Sequence, residues 1–180
     1  MPRYVAFLRA VNVGGRIVKM DELRGHFAAA GFANVETFIA SGNVIFDTTA
    51  KPGTALEARI EGVLEKALGY EVPAFVRSLA EVTTAAGRSL FPDKDVAAAG
   101  ALLVGLLKPP VDPAAQKRLN ALDPAQHTFK IAGNELYWLC KVKQSETKLT
   151  PGQIERALGG ATTMRAISSI RKLAAKHCSE

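Results

Sequence analysis

Two stretches of the sequence decide the predicted fold: Leu8-Arg9-Ala10-Val11-Asn12-Val13-Gly14-Gly15 and Ala40-Ser41-Gly42-Asn43. Each places glycines and polar side chains at the end of an apolar run, where a strand should stop and turn. The first stretch ends a strand predicted over residues 3–11. The second joins strands predicted over residues 35–39 and 44–46 in a tight hairpin.

The elements around these turns follow the order of a split βαβ, or ferredoxin-like, unit. Apolar residues at helical spacing predict a helix that stops before Gly31, and a second helix over residues 54–68 that ends at Gly69. A strand over residues 72–77 completes the unit. Ser78 and Glu81 then form a capping box for an additional helix that runs to about residue 86.

The same order returns in the second part of the chain. A strand over residues 101–107 and a helix over 113–122 precede strands over 128–131 and 136–140. Thr150 and Gln153 then form a capping box, and a short strand over 161–165 leads into a final helix. We therefore predict an α+β protein of two tandem ferredoxin-like halves, with antiparallel sheets and helices on one face. The predicted bounds are 1–88, a linker over 89–100, and 101–180, with both halves packed as one compact unit.

Composition and charge limit the possible functions. The 180 residues are 48% hydrophobic and 22% charged, values typical of a globular protein. No run approaches the roughly 18 apolar residues that a membrane span needs, and no secretory signal pattern opens the chain, which favours a cytosolic location. Of the net charge of +6, residues 141–180 carry +5 and residues 1–88 only +1.

The ferredoxin-like order brings the two turns to the same edge of the first sheet. Glycines there leave backbone N–H groups accessible, and neighbouring basic side chains add positive charge, as an anion-binding site requires. The alternative interpretation is that glycine and asparagine serve the turns themselves. The residues predicted to contact a ligand at this edge are Arg9, Asn12, Gly14, Gly15, Lys19, Ser41, Gly42 and Asn43.

A second candidate site lies before the helix that Thr150 opens. Lysines and hydroxyl side chains over residues 141–150 lead into this helix N-terminus, where a phosphate could bind. We predict Lys148, Thr150 and Arg165 as a second contact cluster. The alternative is a solvated loop with a good helix cap.

Most of the chain resembles a known family. The run from Tyr4 to Gly15, then Lys19-Met20, Gly31-Phe32 and residues 41–46 look like an uncharacterised bacterial family, domain of unknown function 1697. Ser145, residues 148–150 and residues 162–165 sit where that family has its C-terminal motif. The family usually has Asn after the motif's Arg, whereas this chain has Ala166. The resemblance implies a bacterial, cytosolic α+β protein with two similar halves, and it implies no activity.

No residue set points to catalysis, a metal or a cofactor. None of the three histidines has a Cys, Ser or carboxylate at an interpretable spacing, and the two cysteines lack ligand spacing. The leading hypothesis is therefore a module that binds a small anionic or phosphorylated ligand. Two alternatives stay open. One is weak, salt-sensitive nucleic-acid binding through the basic C-terminal region, and the other is a protein-interaction module with an exposed sheet face as its interface.

Overall fold

The computed structural model describes residues 1–12, 14–39 and 42–177. Ser41, which the sequence analysis placed in the first candidate site, lies outside the described residues. The strands are β1 (Arg3–Leu8), β2 (Ala33–Thr37), β3 (Asn43–Asp47), β4 (Ala74–Ser78), β5 (Ala101–Leu106), β6 (His127–Ala132), β7 (Glu135–Cys140) and β8 (Thr163–Ala166). The helices are α1 (Met20–Ala29), α2 (Thr54–Leu68), α3 (Leu79–Gly87), α4 (Asp93–Ala98), α5 (Ala115–Asn120), α6 (Pro151–Leu158) and α7 (Ile167–His177).

The chain divides into two compact units. The first comprises Met1–Thr84 together with Leu173–Glu180, and the second comprises Ala85–Lys172. Each unit holds one four-stranded antiparallel sheet, so the protein is a mixed α/β structure with two such sheets. The bounds predicted from the sequence and the packing of both halves as one unit stay predictions.

The first sheet has the strand order β2-β3-β1-β4. Helices α1 and α2 pack on one face of it, where Leu23, Phe27, Ile60 and other apolar side chains meet alternate residues of β1. The rings of Phe27, Phe32 and Phe46 lie within 6 Å of one another, centroid to centroid. Burial of these side chains is the main term that stabilises this unit.

The second sheet has the equivalent order β6-β7-β5-β8. Helices α5 and α6 cover one face through Leu119, Ile154 and Leu158, which contact Leu103 and Trp138 of the sheet. Because side chains alternate along a strand, Tyr137 and Leu139 lie on the other face. The face with Trp138 is thus the helix-covered face, and the Leu139 side of the sheet borders residues 91–99.

Most local predictions agree with the structure, and the early end of β1 has a local cause. Helix α2 has the predicted bounds, with Gly69 in the left-handed conformation after it. Strand β1 ends at Leu8 rather than at residue 11, because Ala10 has a φ of +56°, which an extended strand cannot contain. Helix α5 is shorter than the predicted 113–122, and the predicted linker contains the short helix α4.

Within the described part of the chain, no helix is both long and apolar enough to cross a membrane. The cytosolic location stays a prediction.

Candidate functional site

The loop after β1 and the β2–β3 hairpin meet at one edge of the first sheet. The Leu8 amide donates a hydrogen bond of 2.8 Å to the Gly42 carbonyl. Gly42 is buried at a φ of +79°, and a Cβ built on it would lie 3.3 Å from Leu8 Cβ and 3.4 Å from Val11 Cγ2. Both the backbone angle and the close approach favour glycine there. The prediction that the two turns meet is confirmed.

A closed loop with two glycines at its tip follows β1. The Asn12 side-chain oxygen Oδ1 accepts a 2.8 Å hydrogen bond from the Val18 amide, which ties the two ends of the loop together. Gly14 and Gly15 are exposed at φ values of +69° and +80°. Apart from its chain neighbours, no described atom lies within 4 Å of a Cβ built on either glycine. Asn12 therefore shapes the loop, and the two glycines present their amides without side-chain shielding.

Asn43 closes the hairpin. It is only 2% exposed, and its Nδ2 donates a 2.8 Å hydrogen bond to the Phe38 carbonyl. The Phe38 amide donates in turn to the Asn43 carbonyl over 3.0 Å. Both Asn43 and Gly42 thus build the turn, which is the alternative interpretation that the sequence left open for these two residues.

Three basic side chains belong to the loop: Arg9 is half-buried, whereas Arg16 and Lys19 are exposed. The sequence has no Asp or Glu between residues 9 and 19. The Arg16 guanidinium lies 4.1 Å from the ring centroid of Tyr70, a cation–π contact that places it beside the loop. Arg16 was not among the residues predicted from the sequence, although a third basic residue in an acid-free segment was the signal for it.

The first carboxylates after the loop engage helical partners. Asp21 forms an ion pair with Arg24, and Glu22 Oε1 lies 3.6 Å from His26 Nε2. Asp21 therefore compensates a positive charge on α1 itself. The positive charge of Arg9, Arg16 and Lys19 is concentrated at the loop.

The same edge carries exposed apolar side chains and strained backbone. Ile17 is 84% exposed in the loop, and Ile39 is 47% exposed in the hairpin. Ile39 has a φ of +58°, which β-branched residues rarely adopt, and Ala10 has a φ of +56°. Backbone strain of this kind persists only where the surrounding structure maintains it, and strained residues are found most often at functional sites.

In the second unit, Thr150 forms the predicted capping box. Its Oγ1 accepts a 3.3 Å hydrogen bond from the Gln153 amide, and the Gln153 Oε1 accepts a 2.8 Å hydrogen bond from the Thr150 amide. These two bonds occupy donors that a phosphate would otherwise use. Lys148 is exposed and lines a cavity beside His127 at the start of β6.

Arg165 lies elsewhere in this unit. It belongs to β8, which is the edge strand opposite β6, about 14 Å away at three strand spacings. The side chain is buried, and Nη1 donates to Thr163 Oγ1 over 2.8 Å and to the Met164 carbonyl over 2.9 Å. Burial lowers the pKa of this guanidinium to about 10. The structure therefore does not bring Arg165 together with Lys148 as one contact cluster.

Arg77 and Arg165 occupy equivalent positions in the two sheets. Each is buried, and each lies opposite a valine of the first strand of its unit, Val5 for Arg77 and Val104 for Arg165. Each donates through Nη1 to the carbonyl of the preceding residue. The two arginines thus serve the same structural role at the ends of β4 and β8.

His127 is the buried histidine of the second unit. Its Nδ1 accepts a hydrogen bond from Trp138 Nε1 over 3.0 Å, and its Nε2 lies 3.0 Å from Thr147 Oγ1. An indole nitrogen only donates, so the neutral imidazole carries its proton on Nε2. Nε2 therefore has no lone pair with which to bind a metal or to take a proton from Thr147.

The described residues offer no other metal or thiol chemistry. Within residues 1–12, 14–39 and 42–177, no three His, Cys, Asp or Glu side chains form a group that could hold a metal ion. Cys140 is fully buried, and burial raises the pKa of its thiol. A buried thiol of raised pKa is unreactive.

A family model and a solved structure place the chain among known proteins. Residues 1–137 match the model of a family described as a protein of unknown function (DUF1697), which confirms the resemblance seen in the sequence. A solved structure of a conserved bacterial protein from Streptococcus pneumoniae is similar over 99% of each chain, with a TM-score of 0.79 and 18% sequence identity. At this identity the likeness concerns the fold alone. No curated protein matches the chain.

Proposed function

Because the chain belongs to the DUF1697 family, whose description names no activity, we propose a function from its own site: binding of a small anionic or phosphorylated ligand at the loop after β1. The ligand would contact the amides of Gly14 and Gly15 and the side chains of Arg9, Arg16 and Lys19. Asn12, Gly42 and Asn43 would hold the loop and hairpin in shape. Ser41 stays a predicted contact.

The observation that carries this proposal is the closure of an acid-free basic loop against the hairpin. The Leu8–Gly42 hydrogen bond joins β1 to the hairpin, and the Asn12–Val18 hydrogen bond joins the two ends of the loop, before any ligand arrives. A site that is already held in shape loses less conformational entropy on binding than a mobile one. Cations beside unshielded amides favour an anion by both charge and hydrogen bonding.

A thermal-shift titration of the intact chain tests the proposal. The probes are inorganic phosphate, pyrophosphate and glycerol 3-phosphate, at low and at high salt. A probe at 100 times its dissociation constant stabilises the folded state by about 2.7 kcal/mol. For a chain of this size the melting temperature should rise by roughly 5–10 °C. We expect at least one probe to produce a shift that persists in high salt.

The double variant Arg16→Gln, Lys19→Gln is expected to lose that shift. Lys51→Gln is the matched control, because Lys51 is also exposed in the first unit but follows β3 at the other end of the strand. The control should retain the shift. Equal behaviour of the double variant and the control would contradict the proposed site.

The strand orders also support a finer description of the fold. In both sheets the first strand of the unit lies between the third and the fourth, as in ferredoxin-like units. We infer that the chain is a tandem of two ferredoxin-like halves. An experimental structure in which β1–β4 superpose on β5–β8 in chain order would agree with this inference, and a different connectivity would contradict it.

Nucleic-acid binding is the second candidate function, and the exposure of Lys141, Lys143 and Lys148 favours it. Arg165 would not take part, because it is buried. Three phosphate contacts on a DNA duplex predict that the logarithm of the association constant falls with the logarithm of salt concentration with a slope of about −2.7. A fluorescence-anisotropy titration measures this slope, and reversal of the three charges to Glu should abolish binding.

The protein-interaction alternative has less support. The expected interface was an exposed sheet face, yet Val5, Phe7, Ile45 and Phe75, which lie on the face of the first sheet away from α1 and α2, are all buried. Size-exclusion chromatography over a range of concentrations tests self-association.

A further inference from the structure

The second unit contains a cavity whose lining shares no residue with the loop described above. Its volume is about 460 Å³, which is within the range of small-molecule sites. One wall is the sheet, through Thr128 and Lys130 of β6 and Leu139 of β7. The other wall is the segment from Phe91 through α4. This segment lies within the linker predicted from the sequence.

The sheet wall is a defined surface. Thr128 lies directly opposite Leu139 in the antiparallel register, and Lys130 follows two residues later on the same face of β6. Leu139 is 3% exposed. This is the face of the sheet that α5 and α6 do not cover, because Trp138 and Phe129 point to those helices. The cavity therefore has an apolar floor with a cation beside it.

The opposite wall, formed by Phe91 and α4, is separated from the sheet by the cavity. Phe91 is buried and anchors the start of the segment, but α4 has no buried residue of its own. A helix of six residues is too short to be stable without packing. A bound molecule that filled the cavity would supply the missing contacts to the inner side of α4.

The charges at the cavity define what it can accept. Lys130 Nζ donates a 2.5 Å hydrogen bond to the Leu90 carbonyl and lies 5.1 Å from the Phe91 ring centroid. Its ammonium group has three donors, and Leu90 uses one of them. Lys141 is a second cation at the lining and Asp95 the one carboxylate, so the lining has a net charge of +1.

We propose that this cavity binds a small monocarboxylate with a flat aromatic body. The ring would lie between the Leu139 side of the sheet and the exposed Pro92 and Ala98 of the other wall. The carboxylate would pair with Lys130 and Lys141. A single negative charge matches the net charge of the lining. A phosphate dianion would meet repulsion from Asp95 without gaining from the apolar floor.

An NMR titration of the intact chain with benzoate and with indole-3-acetate tests the proposal. We expect saturable chemical-shift changes confined to residues 91–99, 128–130 and 139–141. Inorganic phosphate, which lacks the aromatic body, and benzyl alcohol, which lacks the charge, should each bind at least tenfold more weakly than benzoate. Absence of saturable binding by both carboxylates, or equal binding by phosphate, would overturn the proposal.

Three variants distinguish benzoate binding in this cavity from a nonspecific attraction of the carboxylate to surface lysines. Lys130→Met keeps the aliphatic chain and removes the charge, and we expect a loss of at least tenfold in benzoate affinity. Lys117→Met makes the same change at an exposed lysine of α5 and should leave the affinity unchanged. Asp95→Asn should raise the affinity several-fold, an increase that impaired folding could not produce. Equal affinities of the Lys130 and Lys117 variants would overturn the proposal.

Discussion

Trp138 fixes the protonation state of His127. The indole Nε1 donates to Nδ1 of the imidazole over 3.0 Å, and the two rings lie edge to face with centroids 5.5 Å apart. Protonation of Nδ1 would set two N–H groups against each other and break this bond. Burial of the imidazole lowers the pKa of His127, and the Asp123 carboxylate opposes this effect.

The lowered pKa of His127 predicts a loss of stability in mild acid. In the unfolded chain a histidine has a pKa of about 6.5, so as the pH falls below that value the unfolded state takes up the proton first. The contribution of His127 to the free energy of unfolding should therefore be fully present above pH 6.5. It should decrease as the pH falls from 6.5 to the lower pKa of the folded state. Urea titrations between pH 5 and 8 measure this decrease.

His127→Gln supplies the comparison for that experiment. The pKa of His177 is also lowered by burial, so part of the decrease in mild acid comes from the first unit and should remain in the variant. The difference between the two pH profiles isolates His127. Parallel profiles would show that His127 titrates alike in the folded and unfolded chain.

The ion pair of Arg88 and Glu135 predicts a large effect for a single substitution. Arg88 Nη1 lies 2.8 Å from Glu135 Oε2 and also donates to the Ala132 carbonyl over 2.9 Å. Glu135 is 4% exposed, and removal of one member of a buried pair costs about 3–5 kcal/mol. Because the Arg88 side chain is 25% exposed, we expect Arg88→Met to lower the free energy of unfolding by about 2 kcal/mol.

Chemical denaturation measures that change. Asp112→Asn weakens the solvent-exposed pair with Arg118 in the same unit and should have a clearly smaller effect. A double variant Arg88→Met, Glu135→Met should recover part of the loss, because no carboxylate then remains buried. Additive losses would mean that the two side chains do not stabilise each other.

Gly42→Ala tests the contact between the two turns. The substitution combines an unfavourable left-handed φ with a Cβ that would lie 3.3 Å from Leu8 Cβ. The backbone term alone costs about 1 kcal/mol. Gly69→Ala is a matched control, since Gly69 has a nearly equal φ of +81° and open space around its Cβ. We expect Gly42→Ala to cost about 1 kcal/mol more than the control in urea unfolding.

Ile39→Asn should stabilise the protein. Asparagine tolerates a φ of +58° better than a β-branched residue does, and relief of this strain should raise the free energy of unfolding by about 0.5–1 kcal/mol. Ile17→Asn, at another exposed isoleucine of the same edge, should change it by less than about 0.5 kcal/mol. A loss at Ile39 larger than at Ile17 would show that its side chain packs rather than strains the backbone.

Local signals in the sequence predicted much of the fold. The capping boxes of Ser78 with Glu81 and of Thr150 with Gln153 are both present, because a cap is a contact between residues three apart. The strand end at Leu8 was missed, since nothing in an alanine indicates that Ala10 takes a left-handed conformation. The order of helices and strands along the chain was enough to predict that the loop after β1 and the β2–β3 hairpin meet, as they do at Gly42.

The candidate site was less predictable, because its chemistry depends on contacts between residues distant in sequence. The sequence shows that Asn43 is polar, but not that its side chain donates a hydrogen bond to the Phe38 carbonyl. It shows that Arg165 is basic, but not that the residue is buried. The cavity beside Lys130 could not be predicted for the same reason, because its second wall belongs to the segment that was predicted to be a linker.

The first unit is discontinuous in sequence, and this has a consequence for synthesis on the ribosome. Residues 173–177 of this unit follow the whole of the second unit, and there His177 packs edge to face on Phe38 with ring centroids 5.8 Å apart. Domains fold during translation as their residues emerge. The nascent first unit therefore lacks its final helical segment until the second unit has been synthesised. The path of the chain thus sets the order in which the two units are completed.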